Sequence, residues 1–167
     1  MVKNWMRPAT CCFTGHRIIP SSALPGLSAE LEQAVREMMD RGVRRFLCGG
    51  ARGFDTLAAQ TVLRLKRENP MLELFLVLPC RDQVKGWSAE EAVQYEAVRR
   101  RADRIVYVEN TYVEGCMHKR NRALVDNSHY CIYYMVQHTG GTAYTVDYAV
   151  HQGLEMRPVG LSSEKGG

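Results

Sequence analysis

The sequence predicts a single-domain, three-layer α/β fold: a mostly parallel sheet of about six strands with helices on both faces. Three observations predict it. Apolar, β-rich runs recur at even spacing, stretches with helical periodicity separate most of them, and glycines stand just after several of the runs. Strands that alternate with helices pair in parallel, because each helix carries the chain back before the next strand begins. The 167 residues suit one domain, read here as 1–167. A chain of this size buries roughly 70% of its unfolded surface without help from metals or disulfides. Its core spans about residues 9 to 160.

The predicted strands are Ala9–Phe13, Arg45–Cys48, Leu72–Leu78, Arg104–Val108, Tyr130–Met135 and Met156–Gly160. The first helix starts at Ser28, sets Leu31, Val35, Met38 and Met39 on one face, and stops at Gly42. The second runs from Asp55 to Glu68, with Leu57, Ala58, Val62 and Leu65 inward. The third opens on Ser88 and Glu91, the spacing of a capping box, and reaches Ala102. The fourth covers Gly115 to Asp126, and the fifth Thr142 to Gln152, before Gly153. The longest irregular stretches, Thr14–Leu27 and Pro79–Trp87, each follow a predicted strand. In an open α/β sheet, connections leaving the carboxyl ends of strands border the ligand crevice.

Composition narrows the function classes. A chain 46% hydrophobic and 24% charged is not disordered, collagen-like or of low complexity. No apolar run approaches the ~20 residues of a membrane span. The apolar stretch behind the polar opening Met1–Pro8 is too short for a secretory signal. The reading is a cytoplasmic protein with no membrane partner. The net charge of +4 is mild, so nucleic acid is not expected as a partner. Cys11, Cys12, Cys48 and Cys131 sit in or at the end of apolar runs, and no C-x-x-C pair occurs. The six cysteines therefore read as reduced, mostly core thiols. No histidine spacing supports a metal site, and no cofactor is required.

Three strand exits carry glycine: Thr14-Gly15-His16-Arg17, Gly49-Gly50-Ala51-Arg52-Gly53-Phe54-Asp55, and Thr139-Gly140-Gly141-Thr142. Glycine after a strand lets the backbone turn tightly and bring its N–H groups to a ligand. The helix that follows points its positive end at the same place, which favours an anion. There is neither G-x-x-x-x-G-K-S/T nor, after the first strand, G-x-G-x-x-G, so a phosphate site here is of another glycine-and-arginine design. Arg17, Arg52 and Arg120 are the candidate phosphate partners, since guanidinium matches phosphate oxygens two at a time. The plain alternative for each is a solvated surface charge, the reading given to Arg99–Arg101, Arg104 and Arg41–Arg45. Asp55 reads first as a helix N-cap and second as an acceptor for a ribose hydroxyl. Asp147 is either a helix-surface acid or, if its helix faces the cleft, a catalytic carboxylate. His16 is a candidate ligand contact or a hydrogen-bonded structural group. Gln83 and Trp87 occupy the loop after the third strand, where the indole either stacks on a base or packs as a lid.

Taken in order, Thr14–Arg17, Gly49–Asp55, Pro79…Gln83…Trp87 and Gly140–Ala149 resemble the YpsA family of the SLOG superfamily, over about residues 9 to 160. The resemblance implies a Rossmann-like fold and a pocket for a nucleotide or nucleotide derivative. Met117-His118-Lys119-Arg120 is also similar to the Met-His-x-Arg stretch of the LOG phosphoribohydrolases, and Thr139–Asp147 to their Pro-Gly-Gly-x-Gly-Thr-x-x-Glu motif. By that likeness Arg120 and Asp147 would be catalytic. However, Asp147 is one methylene shorter than glutamate, Thr139 stands for proline, Ala143 for the third glycine and Tyr144 for threonine.

Three functions are carried forward. The first is a sensor that binds an ADP-ribose-like, NAD-like or mononucleotide ligand through Gly15, His16, Arg17, Gly49, Gly50, Arg52, Gly53, Asp55, Gln83, Trp87, Gly140, Gly141 and Thr142. It leaves a homodimer and a signalling partner open. The second is an N-glycosidase acting on nucleoside 5′-monophosphates. The third is single-stranded nucleic-acid binding, by analogy with DprA, another SLOG member.

Overall fold

The computed structural model describes residues 4–160, and the segments 1–3 and 161–167 lie outside the described residues. Six strands form one parallel sheet: β1 (Thr10–Gly15), β2 (Arg45–Cys48), β3 (Glu73–Leu78), β4 (Arg104–Tyr107), β5 (Tyr130–Tyr134) and β6 (Glu155–Pro158). Their spatial order is β4-β3-β2-β1-β5-β6. Five helices connect them: α1 (Leu24–Asp40), α2 (Phe54–Glu68), α3 (Ala89–Arg101), α4 (Cys116–Asp126) and α5 (Gly140–His151). This is the Rossmann-like, three-layer arrangement that the alternating pattern predicts.

Strand periodicity divides the core. Cys11 and Phe13 face one side with Phe46, Leu74, Leu76 and Leu78, where α1, α2 and α3 cover them. Cys12, Leu47, Phe75, Val77 and Cys131 face the other side, under α4 and α5. Neighbours in a strand point to opposite faces, so adjacent cysteines in β1 serve different cores. All six cysteines are buried with free thiols.

Connections from β1 through β4 step outward in one direction. The chain then crosses back through α4, inserts β5 on the other side of β1, and continues outward to β6. The strand order therefore reverses between β1 and β5, and their carboxyl ends part to leave a crevice.

Element boundaries differ from expectation in instructive places. β1 runs on to Gly15, because Thr14 and Gly15 still pair with Tyr133 and Tyr134 of β5. α1 begins at Leu24, four residues before Ser28, behind a 3₁₀ turn at Ser21–Ala23. Pro25 occupies its first turn, where a missing N–H costs nothing and the fixed φ suits a helix. α5 begins at Gly140, so the glycine pair belongs to the helix itself. The capping box of α3 forms as its spacing predicts: Glu91 N–H donates to Ser88 Oγ at 3.1 Å, and Ser88 N–H donates to Glu91 Oε1 at 3.0 Å.

Candidate functional site

The crevice at the β1–β5 divergence is a cleft of about 670 Å³. Its walls come from the β1 exit, the start of α2, the inner face of α4, and the loop and first turn that lead into α5.

The β1 exit is held in place by backbone fit. A Cβ at Gly15 would run into the Phe54 ring, and one at Gly53 would run into the Arg17 carbonyl. Gly53 also sits at φ +76°, in the region that only glycine occupies without strain. Close approach there lets Phe54 N–H donate to the His16 carbonyl at 3.1 Å. Gly53→Ala is expected to lose about 2–4 kcal/mol, from combined backbone strain and overpacking. The urea midpoint checks this, and an unchanged midpoint would mean that the loop yields freely.

His16 acts as a fastener. Its Nε2 accepts from the backbone N–H groups of Val136 and Gln137, at 3.0 and 3.3 Å. Nε2 must therefore carry a lone pair, with the proton on Nδ1. Burial pulls the ring's pKa below its ordinary 6.5, which keeps it neutral. The structural reading of His16 accounts for these contacts, although the ring also lines the cleft.

Arg17 is exposed, lines the cleft, and makes no side-chain hydrogen bond or ion pair among the described residues. Across from it lies the N-terminus of α5. Thr139 is extended and gives no side-chain cap, so the first-turn N–H groups of Gly140, Gly141 and Thr142 lack the partners a capping side chain would supply. These residues line the same cleft.

The cleft floor carries two buried charged groups. Asp55 is 6% exposed and Arg120 is 4% exposed. Asp55 is not the helix cap the sequence suggests. Gly53 holds that position, and Asp55 sits one residue inside α2, where its Oδ2 accepts from Ala51 N–H at 3.1 Å. Burial pushes the Asp55 carboxyl up from 3.8 to about 6, with Arg120, the Ala51 N–H and Arg17 pulling the other way. Arg120 lines the cleft with part of its guanidinium already engaged: it donates to the Gly49 carbonyl through Nη1 and to Asn121 Oδ1 through Nε at 2.8 Å, while Nη2 meets only Met117 Sδ at 3.9 Å. Burial lowers its pKa, while Asp55 supports its charge.

Other candidates lie elsewhere. Gly50 adopts φ +68° and packs beneath Leu78, and its carbonyl accepts from Gln83 Nε2 at 3.0 Å. Arg52 lies 3.6 Å from Glu91 and beneath the Trp87 ring, which meets Tyr95 edge-on at 5.3 Å. Trp87 thus packs on its own domain. Gly49, Gly50, Arg52, Gly53, Gln83 and Trp87 support the walls and do not line the cleft. Asp147 is 62% exposed, pairs with His138 at 2.9 Å, and also lies outside the cleft lining. That pairing raises the His138 pKa.

Sequence reasoning overlooked Asn121, which orients Arg120, and the apolar mouth formed by Ile18 and Val136, 85% and 43% exposed. An isoleucine straight after Gly15-His16-Arg17, in a loop that leaves a strand, was the available signal. Among the described residues no cluster of three or more His, Cys, Asp or Glu side chains could hold a metal ion, and no helix is long and apolar enough to cross a membrane.

The chain is similar to known proteins in sequence and in fold. The SPbeta prophage-derived protein YoqJ of Bacillus subtilis is 29% identical over 117 residues, 63% of this chain and 68% of its own. A UPF0398 protein of Bacillus pumilus is 25% identical over 130 residues, 76% of this chain and 70% of its own. Among solved structures, DNA processing protein A of Streptococcus pneumoniae superposes with a TM-score of 0.64 at 14% identity, over 89% of this chain and 49% of that one. Its Helicobacter pylori counterpart, described for a single-stranded DNA binding mode, gives 0.63 at 16% identity, over 96% of this chain and 74% of that one. At such identities the likeness shows the fold. A DNA-binding neighbour nevertheless does not fit the expectation that nucleic acid is no partner. The YpsA family model, described as the YspA SLOG family, matches residues 21–157, and the chain therefore belongs to that family.

Proposed function

We propose that the chain binds a nucleotide or nucleotide derivative at the carboxyl edge of the sheet, as a sensor that signals to a protein partner. One observation carries this reading: an unpaired Arg17 and the uncapped first turn of α5 face the same cleft at the strand switch point. A helix N-terminus and a guanidinium together favour a phosphate group. The volume of about 670 Å³ suits a ligand of nucleotide size. Binding is favoured over N-glycoside hydrolysis because Asp147, the carboxylate that hydrolysis would need, faces outward toward His138.

The test is a thermal-shift panel of AMP, ADP-ribose and NAD, with chromatography for free base. At a ligand concentration of 100 Kd, the native state should gain about 2.7 kcal/mol, with no adenine or nicotinamide released. Release of base in step with protein concentration would favour the hydrolase, and no shift with any probe would remove the reading.

A second reading is single-stranded DNA binding, favoured by the Helicobacter pylori neighbour, whose fold covers nearly this entire chain. Here a thymidine oligonucleotide should bind with an affinity that falls steeply as salt rises, because phosphate contacts release counterions.

A further inference from the structure

We propose that Asp55 grips the ligand's ribose through its 2′- and 3′-hydroxyls, so that the cleft selects ribonucleotides over deoxynucleotides. This rests on the nucleotide reading and names the class of nucleotide.

Asp55 lines the cleft, yet only its Oδ2 is engaged by the protein, with Ala51 N–H. No other hydrogen bond reaches the carboxyl among the described residues, and no buried side-chain oxygen there lacks a partner. Its remaining acceptor capacity therefore opens into the cleft. A carboxyl that is nine-tenths buried and faces a ligand site asks for a hydrogen-bond donor from the ligand.

The surroundings decide which donor. Arg120 approaches from α4 and Arg17 from the β1 exit, and the N-termini of α2 and α5 point toward the same region. A cationic ligand group is repelled by this field. The donor is therefore neutral. Ile18 and Val136 at the mouth offer apolar surface to the flat face of a base, whereas the buried acid lies on the polar floor. With the phosphate at the first turn of α5, the base takes the mouth and the sugar hydroxyls fall to Asp55.

A carboxylate accepts from two hydroxyls better than a carboxylic acid, which keeps one oxygen protonated. Because burial raises the Asp55 pKa to about 6, ligand uptake below neutral pH is accompanied by proton release. Groups facing Asp55 are Arg120 on α4, Arg17, Cys48 on β2 and Cys131 on β5, while His16 and His118 line the same cleft.

Isothermal titration of AMP, 2′-deoxy-AMP and 3′-deoxy-AMP into the full chain tests this without any variant. Each deoxy analogue should bind about ten- to a hundredfold more weakly than AMP. Asp55→Asn, whose amide oxygen keeps the Ala51 bond, should bring the three within about threefold of one another. ADP-ribose carries no phosphate group that titrates near pH 6. Its affinity should fall about tenfold from pH 7 to pH 5 in the wild type and stay level in Asp55→Asn. Equal binding of AMP and both deoxy analogues would overturn the assignment while leaving the nucleotide site standing. A preference for GMP over AMP without ribose discrimination would give Asp55 to the base, and also overturn it. Failure of every probe to bind would remove the nucleotide reading and the assignment with it.

Discussion

Arg120→Met is expected to lower stability by about 3–5 kcal/mol at pH 7.5, and by distinctly less at pH 5. The side chain is 4% exposed and faces Asp55 across the cleft floor, so its removal leaves a buried acid without its opposite charge. The Gly49 carbonyl also loses its donor. For a domain of this length the melting temperature should drop by roughly 10 °C or more. Acid relieves the loss, because Asp55 is then protonated in both proteins and has no charge to support. Urea denaturation at the two pH values measures both terms. Equal losses at pH 5 and 7.5 would show that Arg120 acts by packing alone.

Asp55→Asn should move stability the other way. Burial raises the carboxyl from 3.8 to about 6, so the folded protein holds this proton more tightly than the unfolded chain does. The benefit of the neutral acid is fully present below pH 3.8 and is lost as pH rises through 6. Each tenfold change in proton affinity corresponds to about 1.4 kcal/mol, which puts the penalty on the charged wild type near 3 kcal/mol at neutral pH. Asparagine is never charged. The variant should therefore match the wild type near pH 4 and exceed it by up to about 3 kcal/mol at pH 8. A variant less stable than the wild type at pH 8 would show that the Arg120 interaction outweighs desolvation. In the Asp55→Asn background, Arg120→Met should cost less than it does alone, since contacting residues couple.

The layers of this fold were legible because burial on both faces makes the central strands plain apolar runs. Phe46–Cys48 and Leu74–Leu78 could be nothing else. Ser88 and Glu91 were legible because a capping box is a local device, complete within four residues. The start of α1 was not, since Pro25 reads as an interruption until its place in the first turn is known. The cleft was legible at the Gly15 and Gly140–Gly141 exits, and less so at the Gly49–Gly53 exit, whose glycines only support its walls, and at its charges. Whether Arg120 lies under the floor, or Asp147 points outward, depends on how α4 and α5 roll against the sheet. Their i, i+3 and i+4 patterns show which residues share a face but not which partner that face meets. Asp55 occupied a position where a cap is the simplest explanation, and only the Gly53 turn reveals that it folds back on Ala51.

The His16 clasp joins residues 120 positions apart in sequence. A nascent chain that has released β1 through β4 has one wall of the crevice and nothing opposite it. Late-arriving segments must thread in beside β1 before the cleft has its second wall, and such long-range closure is the slow part of assembly. The closed cleft therefore arrives last, as a property of the finished molecule, and a chain cut short before Val136 keeps five of the six strands but no clasp.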